Sequence, residues 1–122
     1  MIYAIFLRLA PTATTNLARP GVMDAVLEAA REGRPPAAET LAALSLPEDF
    51  IGLFVQRLGY LLRLREAGIL RGAGPFAGLK EGMYVCNVPD ERAARRIVEE
   101  DPFYQQGLIE PEFVVRPWLT AL

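Results

Sequence analysis

Two side chains of opposite charge are the strongest candidates for chemistry in this sequence. Arg57 could bind an anionic ligand, because a guanidinium offers a carboxylate or phosphate two parallel hydrogen bonds. The plainer interpretation is an ion pair with Glu48, Asp49 or a second copy of the chain. Asp101 could act as a general acid or base in a cleft. Its plainer interpretation is an N-cap, because Pro102 follows it at the start of a short helical turn.

Tyrosine hydroxyls form a second group of candidates. Tyr3, Tyr60 and Tyr84 could donate to a ligand, but a buried tyrosine commonly donates to a backbone carbonyl instead. Arg71 and Phe76 are further candidates for ligand contact. The ligand-binding candidates are therefore Arg57, Tyr60, Tyr3, Arg71, Phe76 and Asp101.

The chain contains no histidine and only one cysteine, which excludes several classes of site. Without an imidazole there is no Ser-His or Cys-His nucleophile pair and no histidine-ligated metal. Cys86 cannot form an internal disulfide, and we expect an inert core thiol in the reducing cytoplasm. We expect neither a metal nor a cofactor.

The composition is typical of a folded domain. The chain has 122 residues, of which 52% are hydrophobic and 23% charged, and its mean hydropathy is +0.18. These values exclude a disordered chain. No uncharged apolar run reaches the roughly 18 residues of a membrane span. A net charge of −2 gives no general attraction to nucleic acid. We therefore expect a single domain over residues 1–122 that binds neither a membrane nor nucleic acid.

The first half of the chain begins with a strand and continues into a helical insert. Ile2–Leu9 is apolar at both parities, which predicts a strand that is buried on both faces. Ala10–Gly21 is polar and bounded by prolines, which predicts a loop. Apolar spacing predicts short helices over Val22–Arg31 and Ala38–Leu44.

The second half contains the clearest helical pattern. Glu48–Ala67 has apolar residues at helical spacing, with a proline before it and a glycine after it. Ile69–Phe76 and Met83–Val88 are predicted to form a hairpin. A second helix begins after Pro89 and ends near Glu100, and Ile109–Trp118 is predicted to be the last strand.

The predicted order is β, α, β, β, α, β, with a helical insert at about residues 10–47. This order is typical of the ferredoxin-like α+β arrangement, in which helices cover one face of a four-stranded sheet. Because both faces of the sheet are apolar in the sequence, the second face also needs a cover. A second copy of the chain is the simplest cover, and we therefore predict a homodimer.

Four segments, in this order and spacing, resemble the YCII-related family, also called DGPF-domain proteins. The segments are Arg57–Leu70, the AGPF of Ala73–Phe76, the DPF of Asp101–Phe103 with Gly107 and Leu108, and the RPW of Arg116–Trp118. The resemblance implies a dimeric α+β barrel, in which two sheets pack face to face. It also implies pockets between sheet and helices near the subunit boundary.

The residues proposed as an active pair in this family are absent from the chain. Arg57 stands where the family often has a histidine, and the hairpin has no aspartate. Only Asp101 remains of the family's acidic positions. We therefore expect a non-catalytic module that binds a small molecule or a partner. The alternatives are an isomerase- or lyase-type enzyme that uses Asp101, a tyrosine or Arg57, and an accessory protein of a transcription-regulatory system.

We also expect the insert to pack over a helix or a cleft mouth. Val26 and Leu27 on its longer helix should then contact the rest of the chain.

Overall fold

A computed structural model describes residues 1–122 and shows a mixed α+β fold, as predicted. It contains a four-stranded antiparallel sheet and six helices. No helix combines the length and the apolar character that a membrane span requires. The elements are, in chain order, β1 (Ile2–Arg8), α1 (Pro11–Leu17), α2 (Val22–Glu32), α3 (Ala38–Ala42), α4 (Glu48–Glu66), β2 (Leu70–Pro75), β3 (Glu81–Asn87), α5 (Glu91–Glu99), α6 (Pro102–Gln105) and β4 (Val114–Pro117).

The first strand lies inside the sheet, whose strand order is β2-β3-β1-β4. Strand β1 pairs with β3 along its whole length, and Phe6 lies opposite Val114 on β4. Successive side chains of a strand point to opposite faces. Tyr3, Ile5 and Leu7 accordingly point into the core between the sheet and the helices. Phe6 belongs to the other face, where it remains 39% exposed.

Helix α4 is the main helix of the core, and its bounds agree with the predicted Glu48–Ala67 to one residue. Two acidic residues in its first turn interact favourably with the positive end of the helix dipole. Gly68 adopts a φ of 78° immediately after the helix, a backbone conformation that glycine reaches without strain. The buried stripe of α4 consists of Phe50, Ile51, Phe54, Leu58 and Leu61.

The predicted loop over Ala10–Gly21 is wrong, because this segment contains helix α1. Pro11 occupies the first turn, where its missing N–H costs nothing. Ala13 and Leu17 are buried in the core, and the Thr14 hydroxyl donates to the Leu79 carbonyl at 2.6 Å. Tertiary packing therefore outweighs the low helix propensity of the threonines in this helix.

The rest of the insert is helical, as predicted, and packs on the helical side of the sheet. Val22, Leu41 and Leu46 belong to the core cluster that also contains the buried residues of α4. Val26 packs against this cluster, whereas Leu27 keeps 62% of its surface exposed. The expected contact is thus confirmed for Val26 and wrong for Leu27.

The last strand is shorter than the predicted Ile109–Trp118. Ile109 forms only an isolated bridge with Leu9, and regular pairing begins at Val114. Pro111 lies between them and has no N–H to give to a neighbouring strand. The Pro111 carbonyl accepts a hydrogen bond from the Tyr104 hydroxyl at 3.1 Å, and this bond holds the segment before β4 against α6 rather than in the sheet.

Candidate functional site

Three polar side chains from three elements meet inside the fold. Arg57 comes from the middle of α4, Tyr84 from the centre of β3, and Asp101 from the turn before α6. The Arg57 Nη2 donates to the Tyr84 hydroxyl at 2.6 Å, and its Nε donates to Asp101 Oδ2 at 3.4 Å. The Tyr84 hydroxyl donates to the same carboxylate oxygen. We call these three residues the polar cluster.

Asp101 is the fully buried member, with no exposed side-chain surface. It caps α6, as predicted, because its Oδ1 accepts the N–H of Phe103 at 2.8 Å. Its Oδ2 accepts from Tyr84 and Arg57. One carboxylate thus combines two roles that the sequence left as alternatives, a helix cap and a partner of Arg57.

Arg57 does not pair with Glu48 or Asp49, and this part of the prediction is wrong. Both acids lie at least eight residues away on the same helix, which corresponds to about 12 Å along the axis. The Arg57 side chain is instead 12% exposed and lies over the ring of Phe103, at 4.4 Å from the ring centre. Its Nη1 makes no hydrogen bond within the chain and is not sealed from solvent.

The environment of the polar cluster keeps its hydroxyl and guanidinium protonated. Burial raises the pKa of Tyr84, and Asp101 raises it further against the opposing effect of Arg57. Burial alone would lower the pKa of Arg57, but the charges and hydrogen bonds of Tyr84 and Asp101 raise it overall. Both shifts move the pKa further from neutrality, where a general acid or base would work best.

The larger clefts are lined by residues outside the polar cluster. A cleft of about 560 Å³ beside the first half of α4 is lined by Phe50 and Gln56 but not by Arg57. Another cleft, of about 850 Å³, lies at the sheet edge near Phe6 and Phe113. The polar cluster therefore acts as an internal link between α4, β3 and α6.

The other predicted ligand-binding residues lie away from the polar cluster or form hydrogen bonds with other groups. Tyr60 lies one turn after Arg57, but its hydroxyl donates to the Ile97 carbonyl at 2.8 Å. Burial, with a smaller effect of Asp101, raises the pKa of Tyr60. Tyr3 is buried on the helix-facing side of β1. Arg71 and Phe76, on and just after β2, are exposed, and neither contacts the polar cluster.

Tyr84 was considered as a possible hydroxyl donor to a ligand, but it was not among the six predicted ligand-binding residues. Its parity on β3 matches that of Cys86, and both are buried toward the helices. The alternation along the strand therefore indicated the face of the sheet on which the Tyr84 side chain lies. It gave no indication that Arg57 and Asp101 are its hydrogen-bond partners. Burial raises the pKa of the Cys86 thiol, in agreement with the inert core position expected for it.

No group of three or more acidic or cysteine side chains is arranged to hold a metal ion. The buried carboxylate of Asp101 already accepts hydrogen bonds at both oxygens. A metal at this position would have to displace the donors of Arg57, Tyr84 and Phe103.

Comparison with known proteins identifies the family of this chain. The model of the YCII-related domain matches residues 1–119, which include the whole sheet and the insert. The chain belongs to the YCII-related family. The sequence resemblance was clearest from Arg57 to Trp118, and the match of the YCII-related domain extends it over the first half of the chain.

Several solved structures match this YCII-related chain, and one of them shares its fold at low sequence identity. It is the 5-chloro-2-hydroxyhydroquinone dehydrochlorinase of Burkholderia phenoliruptrix AC1100, in complex with 2,5-dihydroxybenzoquinone. The TM-score is 0.55 at 15% identity, and the alignment covers 97% of this chain and 93% of the other. No curated protein matches the sequence. At this identity the likeness concerns the fold alone.

Proposed function

We propose that this YCII-related protein is a non-catalytic homodimer that binds a small molecule. The closed polar cluster is the observation that carries the proposal. Both oxygens of Asp101 accept hydrogen bonds, and the pKa values of Tyr84 and Arg57 are raised away from neutrality. A general acid or base works best with a pKa near the working pH. The chain also lacks histidine.

The binding part of the proposal is supported by the clefts around the helices and at the sheet edge. The dehydrochlorinase of similar fold is described in complex with 2,5-dihydroxybenzoquinone, a small cyclic molecule. A fold of this kind can therefore hold a ligand of that size. Fold alone does not transfer the reaction, because chemistry depends on the residues of the site.

The dimeric part of the proposal is supported by the uncovered face of the sheet. Phe6 and Val114 lie opposite each other on this face and are 39% and 49% exposed. The chain exposes 7285 Å² in total, whereas a compact monomer of its mass exposes roughly 6,500 Å². The extended C-terminal residues contribute part of this excess. One partner of a standard interface buries about 800 Å².

A second copy on this face would give the dimeric α+β barrel that the resemblance to the YCII-related family implies. Sedimentation velocity at micromolar concentration should report a dimer for the wild type and a monomer for Phe6→Glu. Leu27→Glu is the matched control, because Leu27 is exposed on α2, outside the sheet. A wild-type monomer, or equal behaviour of the two variants, would contradict the dimer.

An isomerase- or lyase-type enzyme is the second candidate, and one feature favours it. The Tyr84 hydroxyl is hydrogen-bonded to Asp101, and the free Nη1 of Arg57 could meet an anionic substrate. Such an enzyme would need the polar cluster to open, so that Tyr84 or Asp101 could reach a substrate proton.

Binding and turnover can be separated in one experiment. The wild type is screened by thermal shift against small phenols, cyclic acids and 2,5-dihydroxybenzoquinone, and each hit is then followed by chromatography for conversion. Binding without conversion supports the proposal. Conversion that is lost in a folded Tyr84→Phe variant supports the enzyme instead. No shift with any compound would contradict the binding function.

A further inference from the structure

An apolar groove lies between the insert and the free edge of the sheet, away from the polar cluster. Helices α2 and α4 form its walls, and strand β2 forms its floor. Its volume is about 210 Å³. Its larger apolar lining residues are Val26, Leu58, Leu61, Leu62 and Leu70.

Small residues on β2 create this groove. Ala73 lies opposite Tyr84 and therefore on the helix-facing side of the sheet, yet it is exposed. Gly72 next to it has no side chain, and a bulge between Leu70 and Gly72 shifts the strand register. The helices thus leave the edge of the sheet uncovered at this point, and an apolar surface stays open.

Two arginines, Arg65 and Arg71, are among the residues that line the groove, and no acidic residue is. Arg65 on α4 is held in place because its Nη2 donates to the Ala30 carbonyl at 2.9 Å, in the last turn of α2. Its Nε and Nη1 have no partner in the chain. Arg71 on β2 takes part in none of the ion pairs. The groove therefore combines an apolar floor with uncompensated positive charge.

We infer that this groove binds a carboxylate that carries a short apolar chain. The chain would lie on the leucines between α2 and α4, and the carboxylate would accept hydrogen bonds from Arg65 and Arg71. The volume is below the roughly 300–1,000 Å³ of pockets for drug-sized ligands, which favours a small occupant. This inference rests on the proposed binding function and names its site and ligand class.

Three probe molecules test the apolar chain and the carboxylate of the ligand separately. Hexanoate has both the chain and the charge, hexan-1-ol has the chain alone, and acetate has the charge alone. Titration followed by amide chemical shifts should give saturable binding of hexanoate, with shifts at residues of the groove. Hexan-1-ol and acetate should each bind at least about fivefold more weakly than hexanoate.

Two variants with matched controls test the site. Arg71→Gln should weaken hexanoate binding about fivefold to tenfold and leave hexan-1-ol unchanged. Arg92→Gln, an exposed arginine on α5, is its control. Ala73→Leu should fill the groove and abolish binding of both molecules. Ala77→Leu, in the exposed hairpin turn, is its control.

The outcomes distinguish this inference from the proposed function. Hexanoate binding that both groove variants leave intact would overturn the groove, while the binding function would stand. Failure of hexanoate to bind the wild type would also overturn the groove, and a hit in the phenol and quinone screen would still support binding elsewhere. If neither set of compounds binds, both the inference and the proposed function fail.

Discussion

The buried ion pair of Arg57 and Asp101 joins parts of the chain that are 44 residues apart. Removing two charges from water is costly, and the pair repays this cost only with good geometry and further hydrogen bonds. Tyr84 and the Phe103 N–H supply those further hydrogen bonds to the carboxylate. The pair therefore holds α4, β3 and α6 in one arrangement as long as each partner is present.

Replacement of Asp101 by asparagine should be strongly destabilising. Asparagine can still cap α6, but it leaves the charge of Arg57 without a partner in a site where only 12% of that side chain is exposed. We expect the free energy of unfolding in urea to fall by about 3–5 kcal/mol. Asp90→Asn is the control, because Asp90 caps α5 through the N–H of Ala93 and has no ion pair. Equal losses in the two variants would show that capping alone matters.

Stability should decrease at alkaline pH because of Tyr84 and Tyr60. Burial raises the pKa of both hydroxyls above their ordinary value of 10.0. The folded state therefore keeps protons that the unfolded chain loses. This stabilisation is complete below about pH 10 and is lost as the pH rises toward the folded pKa. Urea unfolding between about pH 8 and pH 11 should show a smaller decrease for Tyr84→Phe than for the wild type. Identical profiles would contradict the shift.

At the scale of single elements, the β2–β3 hairpin contains two glycines, Gly74 and Gly82, with different surroundings. A Cβ on Gly82 would lie 2.9 Å from the backbone oxygen of Gly74, closer than real Cβ contacts. A Cβ on Gly74 would meet nothing within 4 Å. The close approach of the two strands therefore requires glycine at only one of these two positions.

Gly82→Ala should accordingly lower the free energy of unfolding by about 1–3 kcal/mol, because the backbone must move to admit the methyl group. Gly74→Ala should leave it unchanged or raise it by up to about 1 kcal/mol, since alanine restricts the unfolded chain. Thermal and urea unfolding of the two single variants provide the comparison. A larger loss for Gly74→Ala would contradict the close approach at Gly82.

The helices and strands differ in how well local sequence patterns predicted them. Helix α4 and the β2–β3 hairpin were predicted close to their observed bounds, because periodic apolar residues and flanking proline or glycine are local signals. Helix α1 has three threonines, and its apolar face consists only of Ala13 and Leu17, which is too short a pattern to indicate a helix in the sequence. Strand β4 was predicted too long because it was started at Ile109, which forms only an isolated bridge, whereas regular pairing begins at Val114.

At the scale of the whole molecule, the uncovered sheet face should couple stability to concentration. If a second copy covers Phe6 and Val114, unfolding includes dissociation and the melting temperature depends on protein concentration. We expect a rise of roughly 2–4 °C for each tenfold increase in concentration. The Phe6→Glu variant should melt at a temperature independent of concentration. A wild-type melting temperature that does not change would indicate a monomer.

The sequence alone was enough to predict strand β1, the extent of α4 and the absence of imidazole chemistry. These properties depend on neighbours along the chain or on composition. The contact of Arg57 with Tyr84 and Asp101, rather than with Glu48 or Asp49, became evident only in the folded chain. The periodicity of a helix or strand fixes the face on which a side chain lies. The partner across that face depends on how distant elements pack, and this packing carries no local signature.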